Sequence, residues 1–268
     1  MRRVRPLVVL LFTGALLGLC VRQLLDRQAA VARRRIGKPL GEVSIDADRV
    51  WRPGLDGEPL DLLLLGDSVA AGLGAGRRKE TLGARLAKTA ARDLQRPVRL
   101  RTAAVVGAES PDLARQLDGL PPGYRPHVAV VVVGGNDVTH RLPTAVSAQC
   151  LGDAIQRLRA RGAEVVVGTC PDLGALRAVP QPLRRIASSL SRRLADAQTA
   201  VAIADGAEPI DLRRAVGPLF FDEPEEMFSL DRFHPSALGY RRTAEALLPA
   251  VRRAAVTALR RRRPAGPH

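Results

Sequence analysis

Residues 62–68 read Leu62-Leu63-Leu64-Leu65-Gly66-Asp67-Ser68, and residues 128–137 read Val128-Ala129-Val130-Val131-Val132-Val133-Gly134-Gly135-Asn136-Asp137. Both are short, unbroken apolar runs that stop at glycine. A strand with one wet face alternates apolar and polar side chains. A run with no polar position implies burial on both faces, and hence a parallel sheet between layers of helices.

Working outward, the same rhythm repeats. Leu82, Leu86, Ala90 and Leu94 fall on one face of a helix over 80–95. Val98 to Val106 reads as a strand, and Pro111 opens a helix at its first turn. Residues 145–161 form a helix that stops at Gly162. Glu164–Val167 is a strand, residues 183–198 a helix and Val201–Ala204 a fifth strand. The last helix lies within Pro235–Arg260, interrupted near Pro249. The expected fold is therefore α/β, a three-layer α/β/α flavodoxin-like arrangement around a five-stranded parallel sheet. Such sheets place their sites beyond the carboxyl ends of the strands, at the topological switch point. With strand order 2-1-3-4-5, the ends of the first three strands become neighbours. Ser68, Gly107 and Asn136 then converge.

A serine at that point needs a base. Of the four histidines, His268 ends the chain, His127 begins the third strand at the far end of the sheet, and His140 follows the third loop. His234 stands in Asp231-Arg232-Phe233-His234-Pro235, before the last helix. Asp231, three residues earlier, is placed so that a turn sets its carboxylate against the ring. A carboxylate on Nδ1 leaves Nε2 free to take a serine proton. Each residue also has a plainer reading. Ser68 is a natural helix cap, Gly107 and Asn136 are turn residues, and Asp231 with His234 is a helix-entry ion pair.

Taken together, the four segments resemble the SGNH (GDSL-like) hydrolases. Gly66-Asp67-Ser68 is similar to the first block of that family, with Val69 in place of the leucine. Gly107 falls at the second block, Gly134-Gly135-Asn136-Asp137 at the third, and Asp231-x-x-His234 at the fifth. The resemblance spans roughly residues 60–250. It implies Ser68 as nucleophile, His234 as general base and Asp231 as its orienter. The implied oxyanion hole uses the Ser68 and Gly107 N–H groups and the Asn136 amide. No cofactor and no metal is implied. The reaction implied is acyl transfer from a carboxylic ester to water, and the family's substrates range over lipid esters, acetylated sugars and thioesters. No large apolar insertion suggests a lid, which favours short acyl chains. The competing class is a non-catalytic ligand-binding module of the same fold. Gly72-Leu73-Gly74-Ala75-Gly76 has the wrong spacing for a dinucleotide loop and lacks the Gly-Lys-Ser/Thr of a P-loop, so it is read as a flexible rim of the cleft.

The N-terminus carries a separate message. Arg2, Arg3 and Arg5 precede an uncharged, mostly apolar run from Leu7 to Val21, the pattern of a signal segment or short anchor. Ala30-Val31-Ala32 offers a cleavage-like site, but an uncleaved anchor is favoured. The expected division is an anchor or signal at 1–25, a juxtamembrane linker at 26–57, the hydrolase domain at 58–258 and a basic disordered tail at 259–268. The expected location is extracytoplasmic and membrane-anchored, and the expected partners are the membrane and a small-molecule, saccharide or lipid ester. The formal charge of +15 with only 3% aromatic residues fits a solvated basic surface. No basic–aromatic stretch of a nucleic-acid binder is present. Cys150 and Cys170 are either a bridge of an exported domain or two separate thiols.

Overall fold

The computed structural model describes residues 4–262. Six strands form one sheet: β1 (Val50–Trp51), β2 (Leu60–Gly66), β3 (Val98–Thr102), β4 (Val128–Val132), β5 (Glu164–Gly168) and β6 (Glu208–Ile210). Their spatial order is β1-β3-β2-β4-β5-β6. The five strands β2–β6 are mutually parallel, and β1 adds a two-residue antiparallel edge against β3. The 2-1-3-4-5 order expected for the parallel strands therefore holds, and the sheet gains one strand inside the segment expected to be linker.

The helices are α1 (Val4–Ile36), α2 (Ser68–Ala71), α3 (Leu82–Asp93), α4 (Asp112–Asp118), α5 (Gly135–Thr139), α6 (Thr144–Ala160) and α7 (Leu183–Ala204). Three short ones follow, α8 (Leu212–Ala215), α9 (Gly217–Asp222) and α10 (Pro224–Met227), and then α11 (Ala237–Arg261). Alternate side chains of each continuous apolar strand serve opposite faces. Leu62, Leu64, Val128 and Val130 pack with α3 and α11. Leu63, Leu65, Ala129 and Val131 pack with α4, α6 and Ala202 of α7. That double burial is why the leucine and valine runs show no polar alternation.

Four expectations need correction. Val201–Ala204 is the last turn of α7, and the fifth parallel strand is Glu208–Ile210. The apolar residues there form a helix face. The true strand is a half-buried edge whose Glu208 and Pro209 hide it, and an edge is where a sheet admits proline. The last helix is not interrupted at Pro249: α11 runs on to Arg261, so residues 259–261 are helical and Arg261 pairs with Glu164. Residues 263–268, the rest of the expected disordered tail with His268, lie outside the described residues. At the other end, α1 continues through residue 25 to Ile36, so the first part of the expected linker is helix.

The two halves of α1 differ in their surroundings. Leu16, Leu17, Leu19, Val21 and Leu24 are exposed, whereas Ala32 is buried beside Val138, Cys170, Leu173 and Leu176. Gln28 accepts a hydrogen bond from Leu183 N at 2.9 Å, and Arg35 donates to Ala178 O at 3.5 Å. Among the described residues no helix is long and apolar enough to cross a membrane. The apolar run gives way to Arg22, Asp26 and Arg27. Cys150 and Cys170 are not bridged; both are free thiols, Cys150 on α6 and the buried Cys170 just beyond β5.

Candidate active site

The site begins where β2 ends. Gly66 adopts φ +126°, and a Cβ there would lie 1.8 Å from the Val132 carbonyl oxygen, so only glycine fits between β2 and β4. Both its N–H and its C=O meet one side chain, and the C=O also accepts from Val105 N at 3.1 Å. Gln116 of α4 accepts from Gly66 N at 2.9 Å and donates to Gly66 O at 2.8 Å. Asp67 then caps α2, accepting from Val69 N at 2.9 Å. Ser68 follows as the first residue of α2, 6% exposed.

His234 meets Ser68 across the carboxyl edge of the sheet. Its Nε2 lies 2.9 Å from Ser68 Oγ and its Nδ1 2.5 Å from Asp231 Oδ2. The turn that permits this is held by the same carboxylate: Asp231 Oδ1 accepts from Phe233 N and His234 N, both at 3.0 Å. Arg232 pays the geometric cost with a left-handed φ of 56°. Burial raises the Asp231 carboxyl, but the bonds from the His234 ring and from the two N–H groups outweigh it, and the group ends below its ordinary value.

Residues 72–74 form a packed buttress of the histidine and not a flexible rim. A Cβ on Gly74 (φ +103°) would stand 2.5 Å from Pro235 O and 3.2 Å from His234 Cβ. Tyr240 donates to Leu73 O at 2.6 Å. Gly72 and Gly74 are there for close approach, which explains their failure to match any phosphate loop.

The second and third expected loops are cross-linked. Asn136 Nδ2 donates to Ala108 O at 2.9 Å, which leaves its second N–H for the cleft that Asn136 lines. Asp137, fully buried, accepts from Ser110 N at 2.8 Å and from the Ser110 hydroxyl. His140 and Glu109 pair above them on the exposed rim. Gly107 has φ +84° with open space around its Cβ position, so its backbone conformation, not crowding, calls for glycine. The N–H groups of Ser68 and Gly107 have no hydrogen-bond partner among the described residues. Asp67 is buried beside this group, and burial pushes its carboxyl up to about 6. Val69 N–H, His234 and Gly135 N–H oppose the rise, and Asp137 adds to it.

Ser68, His234 and Asp231 are thus joined in one hydrogen-bonded series, and Asn136 shares their cleft. Gly107 stands on the adjoining loop. His127 lies at the opposite end of the sheet, accepting from Asp61 N at 3.0 Å. Among the described residues no three His, Cys, Asp or Glu side chains converge as metal ligands. The cleft floor is apolar, with Leu173, Leu176, Val216, Phe220 and Phe233 along it. Sequence reasoning missed Gln116 and Gln198. The second carries the end of β4, donating to Val133 O at 2.9 Å and accepting from Cys170 N at 2.7 Å. The available signal was a lone glutamine on an apolar helix face: Gln116 sits between Leu113 and Leu117.

A parallel sheet with such a constellation at its carboxyl edge defines an α/β enzyme whose site is built on strand-end loops. Residues 64–242 match the family model described as GDSL-like Lipase/Acylhydrolase, and the chain belongs to that family. It is a carboxylic ester hydrolase of the GDSL-like esterase/lipase type. Among curated proteins it is similar to the GDSL-like esterase Rv1075c of Mycobacterium tuberculosis, 40% identical over 265 residues, which covers 92% of this chain and 83% of that protein. Among solved structures it resembles the lipase Lip_vut3 from a goat rumen metagenome at a TM-score of 0.58 and 21% identity, covering 71% of this chain and 97% of that one. It also resembles AlinE4, an SGNH-hydrolase family esterase, at a TM-score of 0.52 and 25% identity, covering 74% and 98%.

Proposed function

We propose that this esterase works through an acyl-enzyme, with Ser68 as nucleophile, His234 as general base and Asp231 as orienter of the imidazole. The observation that carries this is the unbroken series from Ser68 Oγ to His234 Nε2 and from His234 Nδ1 to Asp231. As Ser68 Oγ attacks the ester carbonyl, its proton passes to His234 Nε2. The tetrahedral oxyanion rests on the Ser68 and Gly107 N–H groups and the free N–H of the Asn136 amide. The C–O bond then breaks, and the Nε2 proton goes to the departing alcohol. Water repeats the sequence on the acyl-enzyme and releases the acid. Asp231 stays ionised throughout and stabilises the imidazolium.

The acyl group sits on the apolar floor. The cavity there measures about 80 Å³, several times the roughly 10–15 Å³ that one water needs. That volume suits a short chain and supports the short-acyl reading. Fluorophosphonate labelling tests the assignment. Wild-type protein should be labelled on Ser68, and Ser68→Ala should lose both labelling and ester hydrolysis while keeping its fold. Normal turnover by that variant would refute the assignment.

We also propose an extracytoplasmic location with attachment to the membrane through α1. The exposed leucines of its first half, ahead of a docked second half, support this. Deletion of residues 1–25 should release active protein from the membrane fraction. Full-length protein free in the cytosol would overturn the proposal.

A further inference from the structure

A second cavity backs onto the apolar cleft. The segment from Asp172 to Leu176 is their shared wall: Leu173 and Ala175 face the cleft, while Gly174 faces a groove of about 700 Å³. Phe220 and Phe221 divide in the same way. Arg177, Arg184, Arg185 and Arg192 line this groove. Elsewhere several arginines pair with carboxylates, as in Arg99–Asp61, Arg157–Asp118 and Arg213–Asp211. Here Asp172 alone contributes, at 3.5 Å from Arg192. Among the described residues Arg177, Arg184 and Arg185 have no ion-pair partner.

Two further observations point to a ligand. Ser188 lines the groove, is 8% exposed, and its hydroxyl has no hydrogen-bond partner among the described residues. Arg184 and Arg185 stand in the first turn of the 22-residue α7, which carries no acidic residue there. Cations at that end oppose the helix dipole, so the arrangement is relieved by an anion. The backbone donors of this turn are already engaged. Leu183 N donates to Gln28, Arg184 N to Pro180 O and Arg185 N to Gln181. Recognition therefore falls on the guanidinium groups and the Ser188 hydroxyl.

We propose that this groove is an anion subsite that takes a phosphate or carboxylate on the alcohol part of the ester. The inference rests on the ester-hydrolase reading above and names its substrate class. A charged group has no place on the apolar cleft floor, where desolvation is costly. Across the shared wall it meets four arginines, whose planar forks match phosphate and carboxylate oxygens. The uncharged acyl chain occupies the cleft while the anionic alcohol lies over residues 172–176.

The test is a matched pair of esters, 1-butyrylglycerol and 1-butyrylglycerol 3-phosphate, with hydrolysis followed by acid release. In wild-type protein KM for the phosphate ester should lie about tenfold below that of the uncharged one, and should rise with added salt. Arg184→Gln with Arg185→Gln should raise the phosphate-ester KM by about tenfold and leave its kcat in place, while KM for the uncharged ester moves by less than about twofold. Ser188→Ala should give a smaller change in the same direction. Inorganic phosphate should raise the melting temperature of the wild type more than that of the double variant. Equal KM values for the two esters in the wild type would overturn the proposal, as would equal effects of the double variant on both. If the variant lost binding to phosphatidylglycerol vesicles but kept wild-type kinetics on the soluble phosphate ester, the groove would be a lipid contact and the subsite would be refuted. If wild-type protein hydrolysed neither ester, the short-acyl reading of the substrate would fall, and the subsite built on it with it. The phosphate melting shift would then report only whether the groove binds anions.

Discussion

Asp67 gives the sharpest quantitative handle on this site. It is an acid with a folded-state value of about 6 against an ordinary 3.8, raised first by burial. The folded chain therefore holds the Asp67 proton more tightly than the unfolded chain does. Between these two values the folded state binds more protons, so stability falls as pH rises from about 4 towards about 6, and the loss is complete above that range. The gap corresponds to about 3 kcal/mol at 1.36 kcal/mol per pH unit, of which roughly 2–3 kcal/mol develops between pH 4 and pH 7. Absolute stability sums many titrating groups, so the measurement is a difference. Urea unfolding of wild type and Asp67→Asn is followed at half-unit steps from pH 4 to pH 7.5. Asparagine keeps the oxygen that caps Val69 N, and its fixed cost is independent of pH. The stability of Asp67→Asn relative to wild type should climb by about 2–3 kcal/mol across the range. A flat difference, or one that moves the other way, would mean that Asp67 is not held protonated by its burial, and the electrostatic account of the strand-end cluster would fail.

Other outcomes follow from the same geometry. Asn136→Ala should lower kcat by roughly a hundred- to a thousandfold with KM nearly unchanged, because an oxyanion donor matters most in the transition state; normal kcat with a greatly raised KM would make Asn136 a substrate-binding residue. Asp231→Asn should keep the turn, since its remaining oxygen still accepts from Phe233 N and His234 N. It sets an N–H against His234 Nδ1 and so imposes the wrong tautomer, and kcat should fall by about 10⁴ with the melting temperature little changed. Gln116→Ala strands the buried N–H of Gly66, whose C=O keeps Val105 N as a donor, and should destabilise the fold by about 1–3 kcal/mol, as read by urea unfolding.

How far the chain discloses its fold depends on whether each residue signals alone or only through a distant partner. Leu62–Leu65 and Val128–Val133 must be buried on both faces wherever they lie, so the parallel sheet and its switch point are legible in one dimension. β6 is different. Glu208-Pro209-Ile210 becomes a strand only because β5 offers it an edge, through the pairs Val166–Glu208 and Gly168–Ile210. Val201 and Ala202 carry the stronger local pattern and mislead, because a buried helix turn and a buried strand look alike over four residues. The extension of α1 to Ile36 is equally non-local, since Gln28, Ala32 and Arg35 find their partners about 150 residues further along the chain.

The site divides in the same way. Ser68, Asp231 and His234 are legible because their chemistry demands particular residue types at strand-end or turn positions. The residues that hold them are not. Gln116 and Gln198 act by clasping backbone groups of the strands they cross, a role that exists only once α4 and α7 are packed on the sheet. Gly74 looks like part of a phosphate loop until Pro235 O is seen 2.5 Å from where its side chain would begin. The machinery is thus written locally and its rigidity non-locally. Variants of the first set should lose turnover while remaining folded. Variants of Gln116, Gln198 or Gly74 should lose stability together with turnover, and the pairing of those two readouts separates the residues that react from those that hold them in place.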